Sequence, residues 1–131
     1  MKPVPKILFV CVENANRSQM AEAFAKLRGG GKVEAASAGS RPSGTVNPKA
    51  VAAMAEVGYD LTTHTSKSTA AFGGQSFAAV VTMGCGDECP AVPAERREEW
   101  QIPDPKDMPP EEFNQVRDLI EQKVVALLTF L

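Results

Sequence analysis

The sequence predicts an α/β fold of three layers, a mostly parallel four-stranded sheet flanked by helices on both faces. Three observations carry this. Strand-like and helix-like patterns alternate along the whole chain. The clearest strands are short unbroken apolar runs, the mark of strands buried on both faces as in parallel sheets. The chain also ends in a long amphipathic helix that needs a surface to cover. A length of 131 residues is read as one domain over 1–131, large enough to bury a core without disulfide staples.

The elements follow in order. Residues 6 to 11 form an apolar strand. Residues 17 to 28 have a helical period with Met20, Phe24 and Leu27 on one face, stopped by Gly29-Gly30-Gly31. Lys32 to Ala36 is a weaker strand running into Ser37-Ala38-Gly39. Asn47-Pro48 supplies an N-cap and a proline at the first helical position, opening a helix with Val51, Met54 and Ala55 inward and Gly58 at its end. Phe77 to Met83 is a third buried strand, and Trp100 to Ile102 a brief fourth. After Pro109-Pro110, Phe113, Val116, Ile120, Val124 and Leu127 keep the helical period. The stretches 39–46 and 84–99, rich in Gly, Pro or charge, are loops within the domain. Ligands in such folds sit at the carboxyl ends of the strands, near a reversal of strand order. Cys11 ends the first strand and Gly84-Cys85 follows the third, so the two can be neighbours in space.

Composition narrows the function. A formal charge of -2 without a basic block excludes a general nucleic-acid binder. The apolar run Ile7 to Val12 is too short for a membrane span or a signal h-region, so no membrane partner and a cytoplasmic location are expected. In a reducing compartment three cysteines mean chemistry or packing rather than a structural framework.

The chemistry concentrates in Cys11-Val12-Glu13-Asn14-Ala15-Asn16-Arg17-Ser18. A short loop between a strand's end and a helix's first turn gathers backbone N–H groups on one point, an oxyanion cradle. Arg17 adds a planar guanidinium for bidentate contact with a tetrahedral anion. Cys11 would feel the helix dipole, Arg17 and a hydrogen bond from Ser18, all of which favour the nucleophilic thiolate. The loop therefore reads as a device that binds a phosphate-like anion and attacks its central atom.

Other residues add weaker signals. Cys85-Gly-Asp-Glu-Cys89-Pro90 places two more thiols in one loop. Zinc needs about four ligands and only His64 is left to help, so no metal is expected and thiol–disulfide relay suits the pair better. Asp104-Pro105 is ordinary turn chemistry, yet a carboxylic acid there could protonate a departing oxygen. Glu22, one turn after Ser18, can face the underside of the loop. Lone His64 reads as a structural histidine and Lys67 as a loop lysine.

These residues resemble a known family. Cys11 through Glu22 (CVENANRSQMAE), Ser37-Ala38-Gly39, Asn47-Pro48-Lys49-Ala50, His64-Thr65-Ser66, Val81-Thr82-Met83, Cys89-Pro90 and Asp104-Pro105 are similar to the thioredoxin-coupled arsenate reductases of the low-molecular-weight tyrosine phosphatase superfamily. The resemblance is collinear from about residue 5 to the C-terminus. It implies that the loop Val12 to Arg17 holds arsenate, Cys11 attacks it and Asp104 protonates the departing oxygen. Cys85 then attacks the sulfur of Cys11, and Cys89 takes over Cys85 to give a disulfide for thioredoxin. No cofactor is expected, and a monomer is the expected working unit.

Four positions depart from the family pattern. Glu13 replaces a small residue, often Gly, and Asn16 replaces a second loop cysteine. The relay cysteines have three residues between them, fewer than in better-known members. Several members hold potassium beneath the loop through residues matching Asn14, Glu22 and Ser37 plus an Asp, whose position is Lys67 here. We therefore expect the Lys67 ammonium to replace that ion.

Two alternatives stay open. A low-molecular-weight protein tyrosine phosphatase shares Cys11, Arg17 and Asp104 but usually has Tyr after Asp-Pro, where this chain has Lys106; its only Tyr is Tyr59. A non-enzymatic oxyanion or redox sensor is the other.

Overall fold

The structure, a computed structural model, describes residues 4–84 and 92–131. Its elements are β1 (Lys6–Cys11), α1 (Arg17–Gly29), β2 (Glu34–Gly39), α2 (Pro48–Ala55), β3 (Phe77–Thr82), β4 (Ala94–Glu99) and α3 (Pro110–Leu128). The four strands lie in the order β2-β1-β3-β4 and every neighbouring pair is parallel. The chain leaves β1 toward β2 on one side and returns to β3 on the other. That reversal puts the crevice at the carboxyl end of β1, where Cys11 pairs with Gly39 and Val10 with Thr82.

Alternate residues of β1 serve different cores, as a pleated strand requires. Ile7 and Phe9 join Met20 and Phe24 of α1, Met54 of α2, and Phe113 and Ile120 of α3. Leu8 and Val10 join Ala38, Val80 and Phe77, with Phe72 of a 3-10 helix (Thr69–Phe72) packed against them. Fully burying each of Phe9, Phe24 and Phe113 contributes about 2–3 kcal/mol. The helical layer is also tied by polar contacts: Arg117 of α3 donates to the Ala53 carbonyl of α2 at 2.9 Å, and Arg28 of α1 pairs with Glu121 of α3 at 2.6 Å.

Helix ends match their sequence signals. Asn47 caps α2 by accepting from the Lys49 N–H at 3.0 Å, with Pro48 at the first helical position. Gly30, at φ +55°, ends α1 in the left-handed conformation that glycine tolerates. The α3 stripe Phe113, Val116, Ile120, Val124 and Leu127 is buried as its period predicts.

Two expectations are corrected. The buried side of α2 is Ala50, Ala53 and Met54, while Val51 is half-buried and Ala55 exposed. The fourth strand is Ala94–Glu99 rather than Trp100–Ile102. Its sequence AERREE is half-buried or exposed throughout and carries no apolar signal. Backbone pairing with β3 makes it a strand, and its charges suit a sheet edge that must not recruit another chain. Trp100 and Ile102 instead anchor the segment beyond it into the main core.

Candidate active site

The loop from Cys11 to Arg17 is shaped by what its carbonyls do. Those of Cys11, Val12, Glu13 and Ala15 accept from the N–H groups of Ser40, Arg41, Ser43 and Asn47 at 2.8–3.2 Å. That of Asn14 accepts from the Gln19 amide at 3.0 Å. In a trans peptide the next residue's N–H points opposite to the carbonyl. The N–H groups of residues 12 to 16 therefore turn the other way, away from these partners. Asn14 stands at φ +53°, a left-handed conformation that asparagine tolerates and that folds successive N–H groups into an anion nest. Gly39 makes room behind the loop: a Cβ there would lie 2.5 Å from the Val12 carbonyl oxygen and 3.0 Å from the Asn14 nitrogen.

On the cavity side, a space of about 330 Å³ is lined by Cys11, Val12, Glu13, Ala15, Asn16, Arg17, Gly84 and Asp104. A larger space of about 680 Å³ lies at the opposite, amino end of the strands, around Val4, Phe77 and Ala94, with neither cysteine nor arginine in its lining. Chemistry belongs to the smaller one. Arg17, nearly buried, donates through Nη1 to the Ile102 carbonyl at 3.1 Å and places Nη2 3.8 Å from Asp104 Oδ2. Gly84, at φ +78°, packs on that guanidinium so closely that a Cβ would overlap Nη1. Asp104 is half exposed, and its Oδ1 accepts from the Lys106 N–H at 3.1 Å. Glu13 pairs with Lys106 at 3.4 Å. Cys85 and Cys89 lie outside the described residues.

Beneath the loop runs a chain of hydrogen bonds. Cys11 Sγ is 2.8 Å from Ser18 Oγ, which accepts from Asn14 Nδ2 at 2.7 Å and so keeps its own hydrogen for the sulfur. Asn14 Oδ1 accepts from Gln19 Nε2 and from the Lys67 N–H, both at 2.9 Å. Gln19 Oε1 meets His64 Nδ1 at 2.9 Å, and His64 Nε2 meets the Tyr59 hydroxyl at 2.6 Å. This pattern sets the tautomer: Nδ1–H donates to the amide oxygen and Nε2 accepts from Tyr59. His64 is thus a satisfied structural histidine. Gln19, fully buried at the centre of the chain, was missed by sequence reasoning. The only signal was a polar residue on the inner side of an amphipathic helix.

Burial lowers the His64 pKa from its ordinary 6.5, with Lys26 and Lys67 adding to the effect and Glu22 opposing it. A histidine held neutral in the native state binds fewer protons than the unfolded chain, so its stabilising effect is full above pH 6.5 and is lost as pH falls through the lowered native pKa. The thermal midpoint should drop with acidity in that window, and His64→Gln should flatten the drop. An unchanged slope in the variant would remove His64 as its source.

Glu22 is buried, but its cation is not Lys67. Ser37 Oγ donates to Glu22 Oε1 at 2.6 Å and the Lys26 ammonium to Oε2 at 2.7 Å. Lys67 supports the loop through its backbone N–H, and its ammonium donates to the Thr65 carbonyl at 3.0 Å. Lys26 wins because it stands four residues after Glu22 on the same helix, where the two side chains meet with little ordering. The potassium ion implied by the resemblance does not fit these residues, since the carboxylate already carries an ammonium and the usual Asp is Lys67. Initial rates should be equal in sodium and potassium buffers at one ionic strength. Lys26→Met should cost about 1–2 kcal/mol of stability in thermal or urea unfolding, less than a fully buried pair because Lys26 is part exposed. Potassium activation of the wild type would overturn this assignment.

Among the described residues no cluster of three or more His, Cys, Asp or Glu could hold a metal ion, and no helix is long and apolar enough to cross a membrane.

Residues 6–131 match the family of low molecular weight phosphotyrosine protein phosphatases. The chain is 40% identical over 126 residues to the glutaredoxin arsenate reductase of Synechocystis, covering 94% of this chain and 95% of that protein. A solved arsenate reductase in a phosphate-binding state superposes with a TM-score of 0.87 at 37% identity, over 96% of this chain and 98% of the other. The thioredoxin-dependent arsenate reductase of Corynebacterium glutamicum superposes with a TM-score of 0.80 at 30% identity, over 98% of this chain and 62% of the other. Loop, fold and relatives agree: the chain belongs to the low molecular weight phosphotyrosine protein phosphatase family, on its arsenate reductase branch.

Proposed function

We propose that this protein reduces arsenate to arsenite by a relay of Cys11, Cys85 and Cys89. The observation that carries the reading is a cysteine at the base of an oxyanion cavity whose lining also includes Arg17, Asp104 and Gly84, the residue immediately before Cys85.

In this reading the Val12 to Asn16 N–H groups and Arg17 hold the dianion. The Cys11 thiolate attacks arsenic, forming an S–As bond as an As–O bond breaks, and Asp104 gives the departing oxygen its proton so that it leaves as water. The Cys85 thiolate attacks the Cys11 sulfur. The S–As bond breaks with its electron pair left on arsenic, releasing arsenite and leaving a Cys11–Cys85 disulfide. Cys89 attacks Cys85, freeing the Cys11 thiolate, and an external dithiol reduces the resulting Cys85–Cys89 disulfide while becoming oxidised itself.

Two thiols close in sequence suit presentation to a protein dithiol, so thioredoxin is the proposed partner and the cytosol the proposed setting, with a monomer as the working unit. The test is NADPH consumption with arsenate and thioredoxin plus thioredoxin reductase, run beside glutaredoxin with glutathione. Turnover only with the second pair would reassign the reductant; turnover with neither would overturn the reductase reading. The shared cradle also predicts weak hydrolysis of aryl phosphates, since the first step needs only Cys11, Arg17 and Asp104.

A further inference from the structure

Two segments must meet on the reacting anion: the loop of residues 11–18, and the segment around Asp104. In the structure they touch through Arg17 and Asp104 at 3.8 Å. That contact cannot survive the reaction it serves. The bound dianion competes for the same guanidinium, and an Asp104 protonated to act as acid no longer attracts it. Upstream of Asp104, Arg17 Nη1 still holds the Ile102 carbonyl at 3.1 Å. Downstream, two lysines hold the segment. Lys106 gives its N–H to Asp104 Oδ1 at 3.1 Å while its ammonium sits 3.4 Å from Glu13 in the anion loop. Lys49 donates to the carbonyls of Lys106 and Met108 at 3.0 and 3.3 Å. Lys49 is itself fixed to the anion loop, because the neighbouring Asn47 N–H donates to the Ala15 carbonyl at 3.1 Å.

We propose that Lys106 and Lys49 are positioning residues that keep Asp104 over the cavity once substrate has drawn Arg17 away from it. The inference rests on the reading of Asp104 as proton donor. It also accounts for Glu13, an acidic residue at the rim of an anion site. Paired with Lys106 its charge is neutralised toward the incoming dianion, and its carboxylate becomes the anchor for the acid segment. Both ties are solvent-exposed, so each has a modest effect, and the two act on the same short segment.

The experiment is single turnover of the reduced enzyme at saturating arsenate, following arsenite release. Lys106→Met is expected to slow the step about fivefold at saturating arsenate, the upper range for an exposed ion pair. It should also raise the arsenate concentration at half-saturation, because Glu13 is no longer neutralised; Lys49→Met should leave half-saturation unchanged. Lys49→Met, which loses two charge-assisted bonds, should slow it somewhat more. In an Asp104→Asn background neither substitution should slow the step further, because the residue they position is already disabled. Lys106→Arg should restore most of the rate. Losses that multiply in the double variants, or lysine variants at the wild-type rate beside a slow Asp104→Asn, would overturn the positioning role and leave the acid in place. An Asp104→Asn variant at the wild-type rate would overturn the acid reading and this inference with it.

Discussion

Cys11→Ser is expected to abolish arsenate reduction and aryl phosphate hydrolysis together. The nucleophile is the atom toward which the Asn14–Ser18 relay is arranged, with the Ser18 hydroxyl 2.8 Å from Sγ. A serine hydroxyl in its place is a weak nucleophile, and among the described residues its hydrogen-bond neighbour is the Ser18 hydroxyl, which is no general base. Cys85→Ser and Cys89→Ser should behave differently. Each should abolish reductase turnover with thioredoxin yet keep the residual phosphatase activity, because hydrolysis shares only the attack by Cys11 and then needs water, not a second thiol, to cleave the S–P bond and release phosphate. Comparing the three variants in the NADPH-coupled assay and with an aryl phosphate separates attack from relay. A Cys89→Ser enzyme that turned over arsenate normally with thioredoxin would show the thiol order to be wrong.

Asp104→Asn should slow the chemical step on the order of a hundredfold, the usual contribution of a positioned acid. Hydroxide is a poor leaving group, and of the two carboxyls in the cavity lining, Glu13 and Asp104, it is Asp104 that stands beside the Arg17 guanidinium. Asparagine keeps the shape and can still accept the Lys106 N–H through Oδ1, so the segment should stay where it is. Arsenate binding should be unchanged or slightly tighter, since a negative neighbour of the dianion is gone. Rapid-quench measurement of arsenite from one turnover, with a separate titration of binding, reads the two effects apart. Wild-type rates in that measurement would return Asp104 to the status of a turn residue.

The parts of the molecule that sequence made legible are those where local chemistry and tertiary role coincide. The Cys11 to Ser18 spacing, the apolar run of β1 and the α3 stripe each say the same thing locally and in the fold. β4 is not legible in the sequence, because an edge strand is defined by backbone pairing, which side-chain pattern does not record; its charges mimic a loop. Gln19 is silent in the sequence because its role arises only when the loop, His64 and the Thr65 carbonyl converge on it. Lys26 is different. Its spacing of four from Glu22 is readable in the sequence, but the resemblance points to position 67 instead.

The glycine behind the anion loop has a thermodynamic consequence. With Gly39 pressed against Val12 and Asn14, and with the carbonyls from Cys11 to Ala15 already engaged, the cradle is preorganised before any anion arrives. Binding then forfeits little conformational entropy, but a surface set in advance cannot remodel itself around its guest. Arsenate and phosphate share tetrahedral shape and charge, so such a rigid receptor admits both. Discrimination is thereby deferred from recognition to electron transfer: phosphate can occupy the cradle as a competitor, but only arsenate can leave it with two more electrons.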